Sequence, residues 1–339
     1  MRSLSLAVGS AGWSLYEARA LLQLATAGVG KQVCVYPIAT GEDQLSSIAP
    51  SQSLHHGSKL SSLSWSLLHQ DVITLGDYDG GVTQLHIPTG HCIWQADDHD
   101  GARVWSVDHS PLDPTVMASA GEDGTVRLWQ QHSDRPVAII APSTQAGLCS
   151  VAFCPASSNL LAFASADHNA YVYDLRAQEE PLFVLAGHQD PVSYVKFLAS
   201  GEDLITASVD GSLAHWQLSS QIGSQDRPHS SSCTPQQPMQ PSQPVPGSSS
   251  QHLQSIRSFV GHRNRRNFVG LAVEPTTDLI ACGSEDSEVY LYHTAWADPM
   301  GHQPLYSDRP SQQHPMTSRA AEALSGCHEH QLLLFMSCA

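Results

Sequence analysis

The chain has 339 residues, 32 acidic against 16 basic side chains, a net charge of −16 and only 14% charged residues. That balance excludes a typical phosphate-tracking nucleic-acid binder, which needs a cationic surface to release counterions, and it disfavours an anionic membrane surface. The apolar runs stop well short of the about 20 residues that span a bilayer, and the 24 Gly and 21 Pro fit short strands and turns better than long helices.

The opening MRSLSLAVGSAG has one Arg and a short apolar patch, too little charge and no clean apolar core for a targeting segment. Within it Ser3 to Val8 is a candidate strand. From there one pattern recurs: a small-residue step, a Gly or Asp turn, then alternating residues and a closing residue. It runs LATAGVGKQVCVY to Tyr36, ITLGDYDGGVTQL to Leu85, ASAGEDGTVRLW to Trp129, AFASADHNAYVY to Tyr173, ITASVDGSLAHW to Trp216 and IACGSEDSEVYLY to Tyr292. Six residues before each closing residue stand Gly30, Asp79, Asp123, Asp167, Asp210 and Asp286, spaced by 49, 44, 44, 43 and 76. The last interval is one period plus about 32 residues.

Upstream of three turn aspartates is a histidine: His99 precedes Asp123 by 24, His188 precedes Asp210 by 22 and His262 precedes Asp286 by 24. His188 and His262 stand in Gly-His pairs. This is the WD-repeat signature, four short strands per propeller blade. The turn Asp accepts from the imidazole, which passes the network to a Ser or Thr and the strand-end Trp. His99, Asp123 and Trp129, His188, Asp210 and Trp216, and His262 with Asp286 therefore read as blade scaffold rather than as metal ligands or bases. The nineteen histidines are scattered, and no two of the eight cysteines form a CxxC, so the reading includes no metal, no cofactor and no catalytic residue. The cysteine usage fits a reducing compartment, with the nucleus the expected location and the cytoplasm a second one.

The expectation is thus an all-β WD-repeat propeller over residues 13–300, with six recognisable blades and a seventh degenerate or truncated. Residues 219–255, rich in Ser, Gln and Pro, read as a disordered insertion between the third and fourth strands of blade five. Residues 301–339 read as a divergent tail in which HQLLLFMSC is at most one strand. A propeller whose N-terminal strand pairs with its final blade closes the ring, and Ser3 to Val8 is the candidate for that pairing. Without a seventh blade the isolated chain is expected to be marginally stable.

The stretches SKLSSLSW (58–65), GDYDGGV (76–82), RVWSVD (103–108), SADHNAYVYDLR (165–176), GHQDPVSYVKFL (187–198), GHRNRRNFVGL (261–271) and ACGSEDSEVYLYH (281–293) resemble one family. It is the WD-repeat domain of the plant photomorphogenesis repressors: the COP ubiquitin ligase, its SPA partners and the RUP repressors of UV-B photomorphogenesis. The resemblance covers roughly residues 20–295 and is nearest in architecture to RUP. It implies a non-catalytic subunit in light-regulated ubiquitination, binding Val-Pro motifs of transcription factors and photoreceptors, with no nucleic-acid or membrane partner.

The resemblance maps the peptide site onto Lys59, Tyr78, Arg103, Trp105, His168 and Phe268. Aromatic rings would wall in Val and Pro, and the cations would meet acidic flanks. From spacing alone, Trp105 and Phe268 also read as strand starts packed within their blades, and Lys59 and Arg103 as ordinary surface cations. Asp190 falls where the COP ligase has a Lys, a charge reversal at the rim. Tyr173-Asp174-Leu175-Arg176 approximates the W-D-x-R box that docks on a cullin ligase adaptor, with Asp174 and Arg176 the docking pair and Tyr in place of Trp. Val245-Pro246 offers an internal Val-Pro without acidic neighbours. The alternative is a truncated piece of a COP-type RING ligase or an SPA protein. The chain contains neither paired zinc-ligand spacing nor kinase signatures.

Overall fold

A computed structural model describes residues 3–8, 11–18, 21–38, 49–131, 133–218, 250–265, 269–274 and 278–304. These form six sheets, antiparallel but for one strand pair, the arrangement of a six-bladed β-propeller. The first contains β1 (Ser3–Val8), β2 (Ala11–Ala18), β3 (Leu21–Gly28), β4 (Gln32–Ile38) and β5 (Gln52–His55). The second is β6 (Leu60–Trp65), β7 (Val72–Asp77), β8 (Val82–His86) and β9 (His91–Ala96). The third is β10 (Val104–His109), β11 (Val116–Gly121), β12 (Val126–Gln130) and β13 (Ala138–Ile140). The fourth is built on β14 (Leu148–Phe153), β15 (Leu160–Ser165), β16 (Asn169–Asp174) and β17 (Phe183–Ala186), and the fifth starts with β18 (Val192–Phe197), β19 (Asp203–Ser208) and β20 (Leu213–Gln217). Next in sequence come β21 (Gln251–Leu253) and β22 (Arg257–Phe259), and the sixth sheet is β23 (Leu271–Val273), β24 (Leu279–Gly283), β25 (Glu288–His293) and β26 (Gly301–Pro304).

Three features differ from the sequence reading. First, β22 completes the fifth sheet beside β20, but β21 crosses to the fourth sheet and pairs in parallel with β17, Phe183 opposite Gln251. Residues 251–253 are therefore strand, not free insertion, because a short run with one apolar residue can satisfy its backbone on an open sheet edge. Second, Gly301–Pro304, read as tail, is the outer strand of the sixth sheet, opposite Glu288–Leu291. Third, Ser3–Val8 pairs with β2 inside the first sheet rather than within the last blade, and it lies beside β23. Val245-Pro246 and HQLLLFMSC lie outside the described residues.

The closing residues sit on β4, β8, β12, β16, β20 and β25, and Trp129, Trp216 and Tyr292 are fully buried between blades. Each such aromatic removes enough apolar surface from water to contribute several times a typical hydrogen bond. The inner strands are also tied to one another at a constant step of sequence. Val107 N–H donates to Ser62 Oγ at 3.1 Å, Val151 N–H to Ser106 Oγ at 3.1 Å and Val195 N–H to Ser150 Oγ at 3.4 Å. Tyr194 occupies the corresponding place in β18.

Counting the first sheet from β2, antiparallel order puts the turns entering each sheet, and the turns between its second and third strands, on one face of the ring, here called upper. The remaining turns form the lower face.

Candidate functional site

On the upper face the inner strands of the second to fifth sheets each open with a bulge. The ladder register shifts between Leu60 and Ser62, between Val104 and Ser106, between Leu148 and Ser150 and between Val192 and Tyr194, leaving Ser61, Trp105, Cys149 and Ser193 as the extra residues. A bulge re-aims its extra side chain and breaks pairing locally. At three of these places the side chain is small; in the third sheet it is Trp105, half-buried. The second sheet packs closely on the third beside it. A Cβ on Gly76 would come within 2.8 Å of Val104 Cγ1, and one on Gly80, at φ +94°, within 2.9 Å of the Gly101 nitrogen. Ser61 Oγ bridges the two sheets by donating to the carbonyl oxygens of Gly76 and Val104.

Trp105 meets Tyr78 from the β7–β8 turn, ring centroids 5.7 Å apart and edge to face at 63°. The Arg103 guanidinium lies 5.1 Å from the Tyr78 ring centre and 5.5 Å from that of Trp105. Lys59 is exposed and joined to this corner through its carbonyl, which accepts from Tyr78 N–H at 2.9 Å. The structure thus gathers Lys59, Tyr78, Arg103 and Trp105, while His168 is exposed on the fourth sheet, at the β15–β16 turn of the same face with φ +74°. Phe268 lies outside the described residues. Asp190 is exposed in the turn before β18, also on this face.

Two residues escaped the sequence reading. Glu122 stands 3.7 Å from Arg103, both about half exposed, so the pair is loose and adds at most about 1 kcal/mol. The bond from Tyr78 N–H to Lys59 O repeats as Glu122 N–H to Arg103 O, Ala166 to Gly147, Val209 to Pro191 and Glu285 to Arg263. This register makes Arg263 the equivalent of Lys59 and Arg103, and it is exposed.

The scaffold networks form in two blades as read. His99 Nδ1 lies 2.9 Å from Asp123 and its Nε2 2.8 Å from Ser119 Oγ, which also accepts from Trp129 Nε1 at 2.9 Å. His188 does the same with Asp210 at 3.0 Å and Thr206 at 2.7 Å, Trp216 closing the chain at 2.8 Å. Burial alone would raise both carboxyls, but the bonds from His99 and Thr125 to Asp123, and from His188, Ser212 and Gln189 to Asp210, outweigh it and hold both well below the usual range. The sixth blade is a correction. His262 pairs not with Asp286 but with the Tyr292 hydroxyl at 2.9 Å, because its closing residue is a Tyr, whose own oxygen meets the Nδ1 that faces the turn Asp in the blades of His99 and His188. Asp286 accepts instead from Tyr290 at 3.1 Å.

On the lower face Asp174 and Arg176 bind each other, Arg176 donating through Nε at 3.0 Å and through a terminal nitrogen at 2.6 Å. This holds the Asp174 carboxyl below its ordinary value. Arg176 is 65% exposed. Among the described residues no group of three or more His, Cys, Asp or Glu is arranged to hold a metal, and no helix is long and apolar enough to cross a membrane.

Comparison with known proteins gives matches to the WD domain, G-beta repeat, at residues 90–130, 179–217 and 253–293. WD repeat-containing protein RUP1 of Arabidopsis thaliana is 32% identical over 282 residues, covering 82% of this chain and 65% of its own. E3 ubiquitin-protein ligase COP1 of the same plant is 33% identical over 277 residues, covering 81% of this chain and 35% of its own. Protein SPA1-RELATED 3 is 36% identical over 278 residues, covering 81% and 29%. The chain spans about a third of the length of the COP1 and SPA relatives and just under two thirds of RUP1.

Proposed function

Since the chain belongs to the WD-repeat proteins and is homologous to COP1, SPA and RUP, we propose that it is a non-catalytic peptide-binding scaffold, a substrate-recognition or competitor subunit of light- and UV-B-regulated ubiquitination acting in the nucleus. The observation that carries this reading is the corner formed by Tyr78, Arg103 and Trp105. Two rings at an edge-to-face angle leave a flat apolar wall for Val and Pro, and Pro, already restricted at φ, loses little freedom on binding. Arg103, Lys59 and Arg263 offer charge-assisted bonds to acidic residues flanking the motif. Steering by these cations matters because the protein's net charge otherwise repels an acidic peptide.

The partners of this face are Val-Pro segments of transcription factors and photoreceptors. The lower face, through Asp174 and Arg176, is the candidate contact for a COP/SPA ligase or a cullin adaptor. The coverage of COP1 and SPA favours one second reading, a piece of such a longer protein. Calorimetry with an acidic Val-Pro peptide tests the first. Trp105→Ala is expected to cost about 2 kcal/mol or more of binding without lowering the melting temperature. Unchanged affinity would show that the peptide binds elsewhere.

A further inference from the structure

The lower face carries a cavity of about 180 Å³ between the second and third sheets, remote from the corner described above. None of its lining residues is Asp, Glu, Lys or Arg, which is unusual on a chain with 32 acidic side chains. One wall is Trp94, held by its indole N–H donating to Ser133 O at 3.1 Å and by an edge-to-face contact with Trp129 at 5.3 Å. Another is Met117, whose thioether side chain is a favourable neighbour for a ring edge. Gln131 of the third sheet and His69 of the second, whose side-chain nitrogens lie 2.8 Å apart, link the two sheets beside it.

His109, 5% exposed, also lines the cavity. Its Nε2 is bonded to Thr74 Oγ1 at 2.8 Å, and its Nδ1 has no hydrogen-bond partner. A buried polar nitrogen left unsatisfied is destabilising, so a ligand group that met it would recover part of that cost. Burial holds this imidazole neutral, with its pKa down to about 4. Leu68 and Ile93, 39% and 52% exposed, line both this cavity and a neighbouring one of about 400 Å³.

We propose that the cavity between the second and third sheets binds an uncharged phenol-like group, an aromatic ring bearing one hydroxyl. Size selects the ring: a cavity of about 150 Å³ holds benzene, and this one leaves room for one more polar atom. The uncharged lining rejects carboxylates and ammonium groups, which would be desolvated without a counter-charge. Trp94 and Met117 receive the ring, and His109 and Gln84 the hydroxyl. The source is either a tyrosine side chain of a partner protein or a free phenolic molecule, the remainder of which would run into the neighbouring cavity.

The probe is p-cresol, titrated into the full chain and followed by calorimetry, with toluene, 4-methylbenzoate and N-acetyl-tyrosinamide in parallel. Saturable p-cresol binding, about tenfold tighter than toluene, with no binding of 4-methylbenzoate, is expected. Leu68→Arg at the mouth should weaken p-cresol about tenfold, whereas Val29→Arg, exposed on an upper-face turn, should not. Tyrosinamide binding as tightly as p-cresol supports a protein source, and exclusion of tyrosinamide alone supports a free phenol. Toluene equal to p-cresol, or an unchanged affinity in Leu68→Arg, overturns the proposal. Trp105→Ala should leave p-cresol binding intact, so this result stands apart from the upper-face reading.

Discussion

His262 Nδ1 lies 2.9 Å from the Tyr292 hydroxyl, where His188 and His99 face aspartates, and its Nε2 is buried without a partner. The sixth blade therefore has an imidazole that is not tied to a carboxylate. Burial lowers the His262 pKa to about 4, against raising influences from Asp210 and Asp286. A histidine whose folded pKa is depressed binds fewer protons than the unfolded chain between about pH 6.5 and 4. Its contribution is present above pH 6.5 and lost as pH falls towards 4. His109 behaves in the same way. Melting at pH 7 and pH 4.5 should show His262→Gln removing about 2 kcal/mol of the acid sensitivity of the wild type. An unchanged pH slope would mean that the imidazole is already charged in the fold.

The two kinds of blade should also respond differently to loss of the turn carboxylate. Asp210→Ala leaves His188, Gln189 N–H and Ser212 without their acceptor and should cost about 2–3 kcal/mol. Asp286→Ala removes one exposed bond to Tyr290 and should cost less than about 1 kcal/mol. Urea unfolding separates these values, and equal losses would contradict the observed partners.

On the upper face the cations act through charge as well as contact. Arg103→Ala and Arg263→Ala should each weaken an acidic Val-Pro peptide, and Asp190→Lys should tighten it and raise its association rate at low salt. Surface plasmon resonance at two salt concentrations reads both effects. A salt-independent response in all three variants would remove steering from the account.

Deleting residues 219–249 while keeping β21 should leave both peptide affinity and melting temperature nearly unchanged, since the flanking residues Leu218 and Ser250 lie beyond the upper face. Extending the deletion through Leu253 uncovers the β17 edge and should lower the melting temperature by several degrees. Differential scanning calorimetry of the two deletions makes the comparison, and equal melting temperatures would show that β21 contributes nothing.

The repeat, the blade count and the networks of Asp123 and Asp210 were legible in sequence because each lies within one blade, where strand period and turn length fix who meets whom. The pairing of Tyr78 with Trp105 needed the fold, since it joins two blades and depends on how closely Gly76 and Gly80 let them approach. Spacing put His262 opposite Asp286, but side-chain reach decided for Tyr292. The parallel addition of β21, the place of Gly301–Pro304 and the uncharged cavity beside His109 follow from which edges and walls the ring leaves open. Those are properties of packing between blades, on which a period of about 44 residues is silent.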